Sequence, residues 1–379
     1  MNLKLESLKC LPILAVVLLK CWRLIVTCLV FFLLVYWICG ALIALLILGC
    51  ALSFCFYISQ DHLLFHPDDN NYQSRKLVQT PSAVQLPFLN LFVRSLDGTL
   101  IHMYFIRQPE PAGSIVPTIV FFHGNAGNMG HRLQNAAGLF VTLHCNILMV
   151  EYRGYGLSHG NASEKGIYLD AQAALDYLAA RPDVNQNRIV VFGRSLGGAV
   201  AIDLAARADY GCRIWCLIVE NTFTSIPDIT TSLFKYSWLK FVPLFAYKNK
   251  LVSKDKIGSV NVPTLFISGL SDTLVPPRMM TELHLQCSAS FKQLLQIPNG
   301  GHNDTWACHN YYSKCLAFQK SDGVHGGVCS FSSNGCRMKS RIFLCAIKCT
   351  TSRDVLFYYN EEKLCFPASV FLRLKIGIE

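Results

Sequence analysis

From Leu24 to Ser59 the chain carries no charged residue; the run reads LIVTCLVFFLLVYWICGALIALLILGCALSFCFYIS. About 20 apolar residues suffice to cross a bilayer. A soluble helix has no use for so long a stretch without a polar face. We therefore expect residues 24–59 to form one transmembrane signal anchor, with Phe31 and Ile47 inside the hydrocarbon layer. A cleaved signal peptide would have a shorter apolar region and a small-residue cleavage site, and neither is evident. The shorter run Leu11–Leu19 cannot span and is expected to lie at the interface.

The flanks suggest an orientation. Lys4, Lys9, Lys20 and Arg23 precede the span, whereas Arg75 and Lys76 are the first bases after it. The positive-inside rule then puts residues 1–23 in the cytosol and the rest in a lumen or outside the cell, as a single-pass type II protein.

The remainder must still fold. Of 379 residues 52% are hydrophobic and 15% charged, with mean hydropathy +0.34, which excludes a disordered, collagenous or coiled-coil chain. The net charge of +10 is concentrated at the two ends, and residues 60–318 are close to neutral. No basic stripe with interleaved aromatics occurs there, so a nucleic-acid partner is not expected. The 17 cysteines show no paired C-x2-C spacing. Cys212/Cys216 and Cys345/Cys349 lack a histidine partner and read as thiols rather than metal ligands. No metal or organic cofactor is implied.

Residues 60–318 alternate between short apolar runs and helical patterns. Phe88–Arg94 and Thr99–Ile106 read as a hairpin through Asp97-Gly98. Strand-like runs follow at Thr118–Phe122, Asn146–Val150, Arg188–Phe192, Cys216–Val219, Pro263–Ser268 and Gln293–Ile297. Helical patterns fall at Ile167–Arg181, Leu196–Arg207 and Met279–Leu285. Continuous apolar strands between helices specify an α/β fold, a mostly parallel sheet covered on both faces. Sites in such sheets lie at the carboxyl ends of strands, where the Gly-rich loops of this chain fall.

Two segments match G-x-S-x-G, at 156–160 and 193–197. A nucleophilic serine needs a tight strand-to-helix turn. Ser195 has it: a strand ends one residue before Gly193, and a small-residue helix starts at Leu196. Ser158 sits eight residues past its strand, in a loop. A serine also needs a base and an acid that orients the base. In the order Ser–acid–His, Asp272 and His302 each follow a strand and complete the set, with Asp304 as a weaker rival acid. The oxyanion hole is expected from the backbone N–H of Leu196 and of Asn125 or Ala126. His123 reads as structural support for that loop, and Arg194 as pocket lining. Residues 221–260 are rich in aromatics and sit where a short lid would, which suggests either an acyl-chain substrate or a helical segment packed on the body.

Residues 118–128 (TIVFFHGNAGN), 151–160 (EYRGYGLSHG), 190–199 (VVFGRSLGGA), 220–224 (ENTFT), 247–250 (YKNK), 267–272 (ISGLSD) and 301–306 (GHNDTW) resemble the α/β-hydrolase domain-containing protein 13 group. The resemblance covers about residues 60–312, together with the upstream anchor. It implies the α/β-hydrolase fold, Ser195, Asp272 and His302 as charge-relay residues, and single-pass type II topology. The chain is also similar, more loosely, to membrane-associated hydrolases that remove palmitoyl groups from proteins. The carboxyl end departs from the pattern: Ser321–Gly327 interrupts the closing helix, and residues 319–379 read as an irregular tail.

The expected function is a membrane-anchored serine hydrolase that forms an acyl-enzyme. Its partners would be the lipid bilayer and an acylated protein or lipid, with a protein or lipid thioester ahead of an oxygen ester. The alternatives are a lipid carboxylesterase or lysophospholipase, or a non-enzymatic membrane adaptor keeping the fold. Two sequons lie in the body, and Asn161 is expected to be glycosylated whereas Asn303, beside His302, is not.

Overall fold

The computed structural model describes residues 22–67, 77–234 and 240–325, and the backbone of two later strands. Leu11–Leu19 lies outside the described residues. Two compact units result, 1–60 and 61–379.

In the first unit the apolar run is two helices, α1 (Trp22–Cys39) and α2 (Ala41–Leu64), rather than the single span expected over 24–59. The break is Gly40, whose φ of 84° is a conformation that glycine adopts without a Cβ penalty. Hydrogen bonding runs on across it, from Gly40 N–H to Tyr36 O at 3.0 Å and from Ala44 N–H to Gly40 O at 3.2 Å. One residue is too short to reverse two helices into a hairpin. The two helices are thus joined through this one residue. At 1.5 Å per residue, α2 is about 36 Å long and α1 about 27 Å.

The second unit is built on a sheet of order β8-β7-β6-β5-β3-β4-β2-β1-β10-β9. Its strands are β1 (Phe88–Arg94), β2 (Leu100–Ile106), β3 (Thr118–Phe122), β4 (Asn146–Val150), β5 (Ile189–Arg194), β6 (Cys216–Glu220), β7 (Thr264–Gly269), β8 (Lys292–Ile297), β9 (Ile342–Cys345) and β10 (Val355–Asn360). β2 runs antiparallel to β1 and β4, and the strands from β4 to β8 are parallel. The helices used below are α3 (Leu133–Leu143), α4 (Glu164–Ala179), α5 (Leu196–Ala206), α6 (Ile226–Phe234), α7 (Pro277–Gln286) and α8 (Tyr311–Gln319).

Strand alternation builds a core on each face. Val120 and Phe122 of β3 join a cluster with Leu178 of α4 and Val200 of α5. Ile119 and Phe121 join another with Leu139 of α3 and Phe318 of α8. This is the α/β-hydrolase fold.

The tail is not irregular throughout. β10 pairs parallel to β1 and antiparallel to β9. The β10 sequence VLFYYN is β-branched and aromatic, the composition that favours a strand.

Candidate active site

β5 delivers Ser195 into the turn before α5. Its backbone there has φ 54° and ψ −116°, strained for a residue with a side chain. The flanking glycines make the turn feasible. A Cβ on Gly193 would stand 2.1 Å from Gly197 O, and one on Gly197 would stand 2.1 Å from Phe122 O. No side chain fits either place.

Three loops bring their side chains together. His302 Nε2 lies 3.1 Å from Ser195 Oγ, and His302 Nδ1 lies 2.7 Å from Asp272 Oδ2. The other Asp272 oxygen accepts the backbone N–H of Leu274 and of Val275, both at 2.8 Å. These two bonds fix the carboxylate, so the carboxylate fixes the ring. Ser195 and Asp272 are buried and His302 is partly exposed. A hydroxyl, an imidazole and a carboxylate in this series can pass a proton from Oγ to Nε2 while a positive ring is stabilised.

The rival groups have other duties. Asp304 accepts the N–H of Gly301 at 2.6 Å and so caps the His302 loop. Ser158 Oγ accepts His102 N–H and donates to Glu151 O, both at 2.8 Å, which pins two strands far from a nucleophile's duty. Gly156 in that second motif has its own reason, since a Cβ there would strike the Glu151 carboxylate at 2.4 Å.

The loop after β3 runs alongside the nucleophile. A Cβ on Gly124 would stand 3.6 Å from that of Ser195. The N–H of Leu196 opens α5 and has no acceptor within its own helix. The Asn125 side chain is held on both ends: its oxygen accepts Tyr155 OH at 2.7 Å and its amide donates to Leu64 O at 2.6 Å. Gly127 N–H donates to His66 O at 3.2 Å. Residues 64–66 therefore grip this loop directly. His123 is buried beneath it, 2.9 Å from Glu151 Oε1 and 2.7 Å from Gly124 O. That is the structural part expected of it.

Sequence reasoning gave no role to residues 220–222, at the end of β6 and just beyond it, which tie the site together. Glu220 O accepts Ser195 N–H at 2.9 Å, and Thr222 Oγ1 donates to Ser195 O at 2.7 Å. Asn221 Nδ2 donates to the carbonyls of Gly301 and His302 at 3.0 and 3.1 Å, while its oxygen accepts Gly269 N–H at 2.8 Å. The buried Glu220 carboxylate accepts Tyr311 OH at 2.6 Å and the Thr305 hydroxyl. Arg194 stacks its charge near that carboxylate, 3.7 Å away, rather than lining an open pocket. The only signal was a polar cluster, ENT, straight after an apolar strand.

Among the described residues no cluster of His, Cys, Asp or Glu could hold a metal ion. A concavity of about 310 Å³ lies at the far end of α5, lined by Ala205, Arg207, Cys212 and Trp215, and includes none of Ser195, Asp272 and His302.

Fold and geometry together define an α/β hydrolase. The serine aminopeptidase S33 hydrolase family model matches residues 113–259. The chain is 41% identical over 239 residues to the α/β hydrolase domain-containing protein WAV2 of Arabidopsis thaliana, covering 60% of this chain and 76% of WAV2. It is 37% identical to protein bem46 of Schizosaccharomyces pombe, covering 69% of this chain and 86% of bem46. An uncharacterized membrane protein of Saccharomyces cerevisiae, YNL320W, is 32% identical, with 63% and 82% covered. The esterase Pf2001 of Pyrococcus furiosus shares the fold at TM-score 0.52 and 20% identity, over 64% of this chain and 95% of the esterase. The chain belongs to the α/β-hydrolase domain-containing family of WAV2 and bem46.

Proposed function

We propose that this protein is a membrane-anchored serine hydrolase of acyl thioesters or esters. The reading rests on one observation, the unbroken series Ser195 Oγ–His302–Asp272 with Ser195 in a strained strand-to-helix turn. Ser195 Oγ attacks the acyl carbonyl carbon as His302 Nε2 takes its proton. The carbonyl oxygen becomes an oxyanion facing the N–H of Leu196 and of Asn125 or Ala126. His302 then gives the proton to the leaving sulfur or oxygen, and Ser195 is left acylated. Water, deprotonated by the same ring, releases the acid and frees Ser195.

The apolar helices α1 and α2 serve as the anchor, with the catalytic body on the lumenal side in type II topology. The substrate is an acylated protein or lipid. A palmitoyl-protein thioester comes first and a lipid oxygen ester second, and membership of the protein 13 group fits the motifs.

A fluorophosphonate probe on the full chain tests the assignment. Wild type should label, and Ser195→Ala should lose labelling and about 10⁶ in kcat. Ser158→Ala should still label, although loss of its two bonds should cost about 1–3 kcal/mol of stability. Labelling that survives Ser195→Ala would refute the nucleophile.

A further inference from the structure

The described part of the second unit exposes three phenylalanines, and they are neighbours in sequence: Phe234, Phe241 and Phe245. Phe241 is 84% exposed and Phe245 79%, with Leu244 at 49% between them. Other exposed large apolar side chains of this unit, such as Leu77, Leu96, Ile115 and Val141, are aliphatic and scattered. Large exposed aromatics this close together in the chain signal a surface that is covered in use.

What covers it follows from a tether three residues on. Lys248 Nζ donates to one Asp61 oxygen at 2.5 Å, and Asn249 Nδ2 donates to the other at 2.7 Å. Asn249 also accepts Glu164 N–H at 2.9 Å, so the tether is fixed to the body at α4. Asp61 stands two residues beyond Ser59, where the charge-free run ends. In an anchored chain it therefore sits at the bilayer surface. Phe245 is three residues from Lys248, a reach of at most about 10 Å. Lys240 adjoins the apolar side chains, the pairing of base and aromatic suited to lipid headgroups over acyl chains.

We propose that residues 240–245 dock on the lipid bilayer, with Phe241, Leu244 and Phe245 in the upper acyl layer. This rests on the anchored-hydrolase reading and deepens it: residues 240–245, between β6 and β7, face the membrane, so acyl chains held in the bilayer are the preferred substrates. Each docked phenylalanine contributes about tenfold in partitioning.

The test uses the full chain in phosphatidylcholine vesicles. Phe241→benzoylphenylalanine and Phe245→benzoylphenylalanine, photoactivated, should give lipid adducts by mass spectrometry. Ile115→benzoylphenylalanine, at the opposite end of β3, should give none. Adducts to a second copy of the chain, no lipid adducts at 241 and 245, or equal adducts at 115 would overturn the proposal. Phe241→Ser with Phe245→Ser should lower turnover of a vesicle-borne long-chain ester at least tenfold and leave a soluble acetyl ester unchanged. An equal fall on both, or none, also overturns it. The crosslink needs no activity, so an inert wild type that still gives lipid adducts would fail the hydrolase reading alone. A wild type that does not float with the vesicles would fail the anchor.

Discussion

Asp272 and Asp304 are the same residue type, 32 positions apart, and only hydrogen bonding separates their duties. Asp272 meets the ring nitrogen of His302 at 2.7 Å and Asp304 a loop N–H at 2.6 Å. Asp272→Asn should cost about 10⁴ in kcat, because the amide holds the imidazole in the wrong tautomer. Asp304→Asn keeps an acceptor for Gly301 and should cost less than tenfold. Steady-state kinetics on the two variants decide it, and a larger loss at Asp304 would reverse the assignment. Ser195, Asp272 and His302 were legible because each follows a strand, and chain order does the rest. Glu220, Asn221 and Thr222 were not, since their partners lie on the Ser195 turn, the end of β7, the His302 loop and α8, and no local spacing reports such meetings.

At the scale of elements, strands read more clearly than helices. The Thr118–Phe122 and Asn146–Val150 strands match to the residue, because a buried parallel strand is a closed apolar run. α3 escaped notice: its sequence LQNAAGLFVTL carries Gly138 mid-helix, a poor helix former. That glycine is needed, since a Cβ would strike the Tyr312 ring of α8 at 2.2 Å. Gly40 is the mirror case, a glycine inside an apolar run that divides one expected helix into two. In the proposed type II topology the body lies on the lumenal side, where sequons can be modified. Asn161 is exposed at the entry to α4 and should be glycosylated there. Asn303 accepts Arg194 at 3.5 Å and its sequon Thr305 is buried, so it should stay bare. Endoglycosidase should shift the protein by one glycan, and Asn161→Gln should abolish the shift. No shift in a glycosylating cell would place the body in the cytosol.

For the whole molecule, one buried base sets a lower pH limit. His102, in the middle of β2, stacks on Phe92 at 4.8 Å and meets Asn90 Oδ1 at 2.7 Å. Burial pushes its imidazole down from 6.5 to about 4. Between those values the unfolded chain takes up a proton that the folded one refuses. This contribution is therefore complete above pH 6.5 and lost as pH falls toward 4, by up to about 3 kcal/mol. Thermal unfolding of the detergent-solubilised chain should show this slope, and His102→Gln should flatten it.

Under the proposed anchoring, the grip of residues 64–66 on the Asn125 loop has a consequence for how the body would be released from the membrane. A protease cutting after Gln60 would shed a body that keeps Leu64 and His66, and with them the hydrogen bonds to Asn125 and Gly127. A cut after Pro67, seven residues on, would shed a body without them, and in the proposed mechanism a misplaced Asn125 loop costs about 10² in rate. Factor-cleavage sites engineered at the two positions should release a soluble enzyme of near-native turnover from the first and a crippled one from the second. Equal turnover from both would show that the loop holds itself. Within seven residues of chain, release and inactivation become separate events.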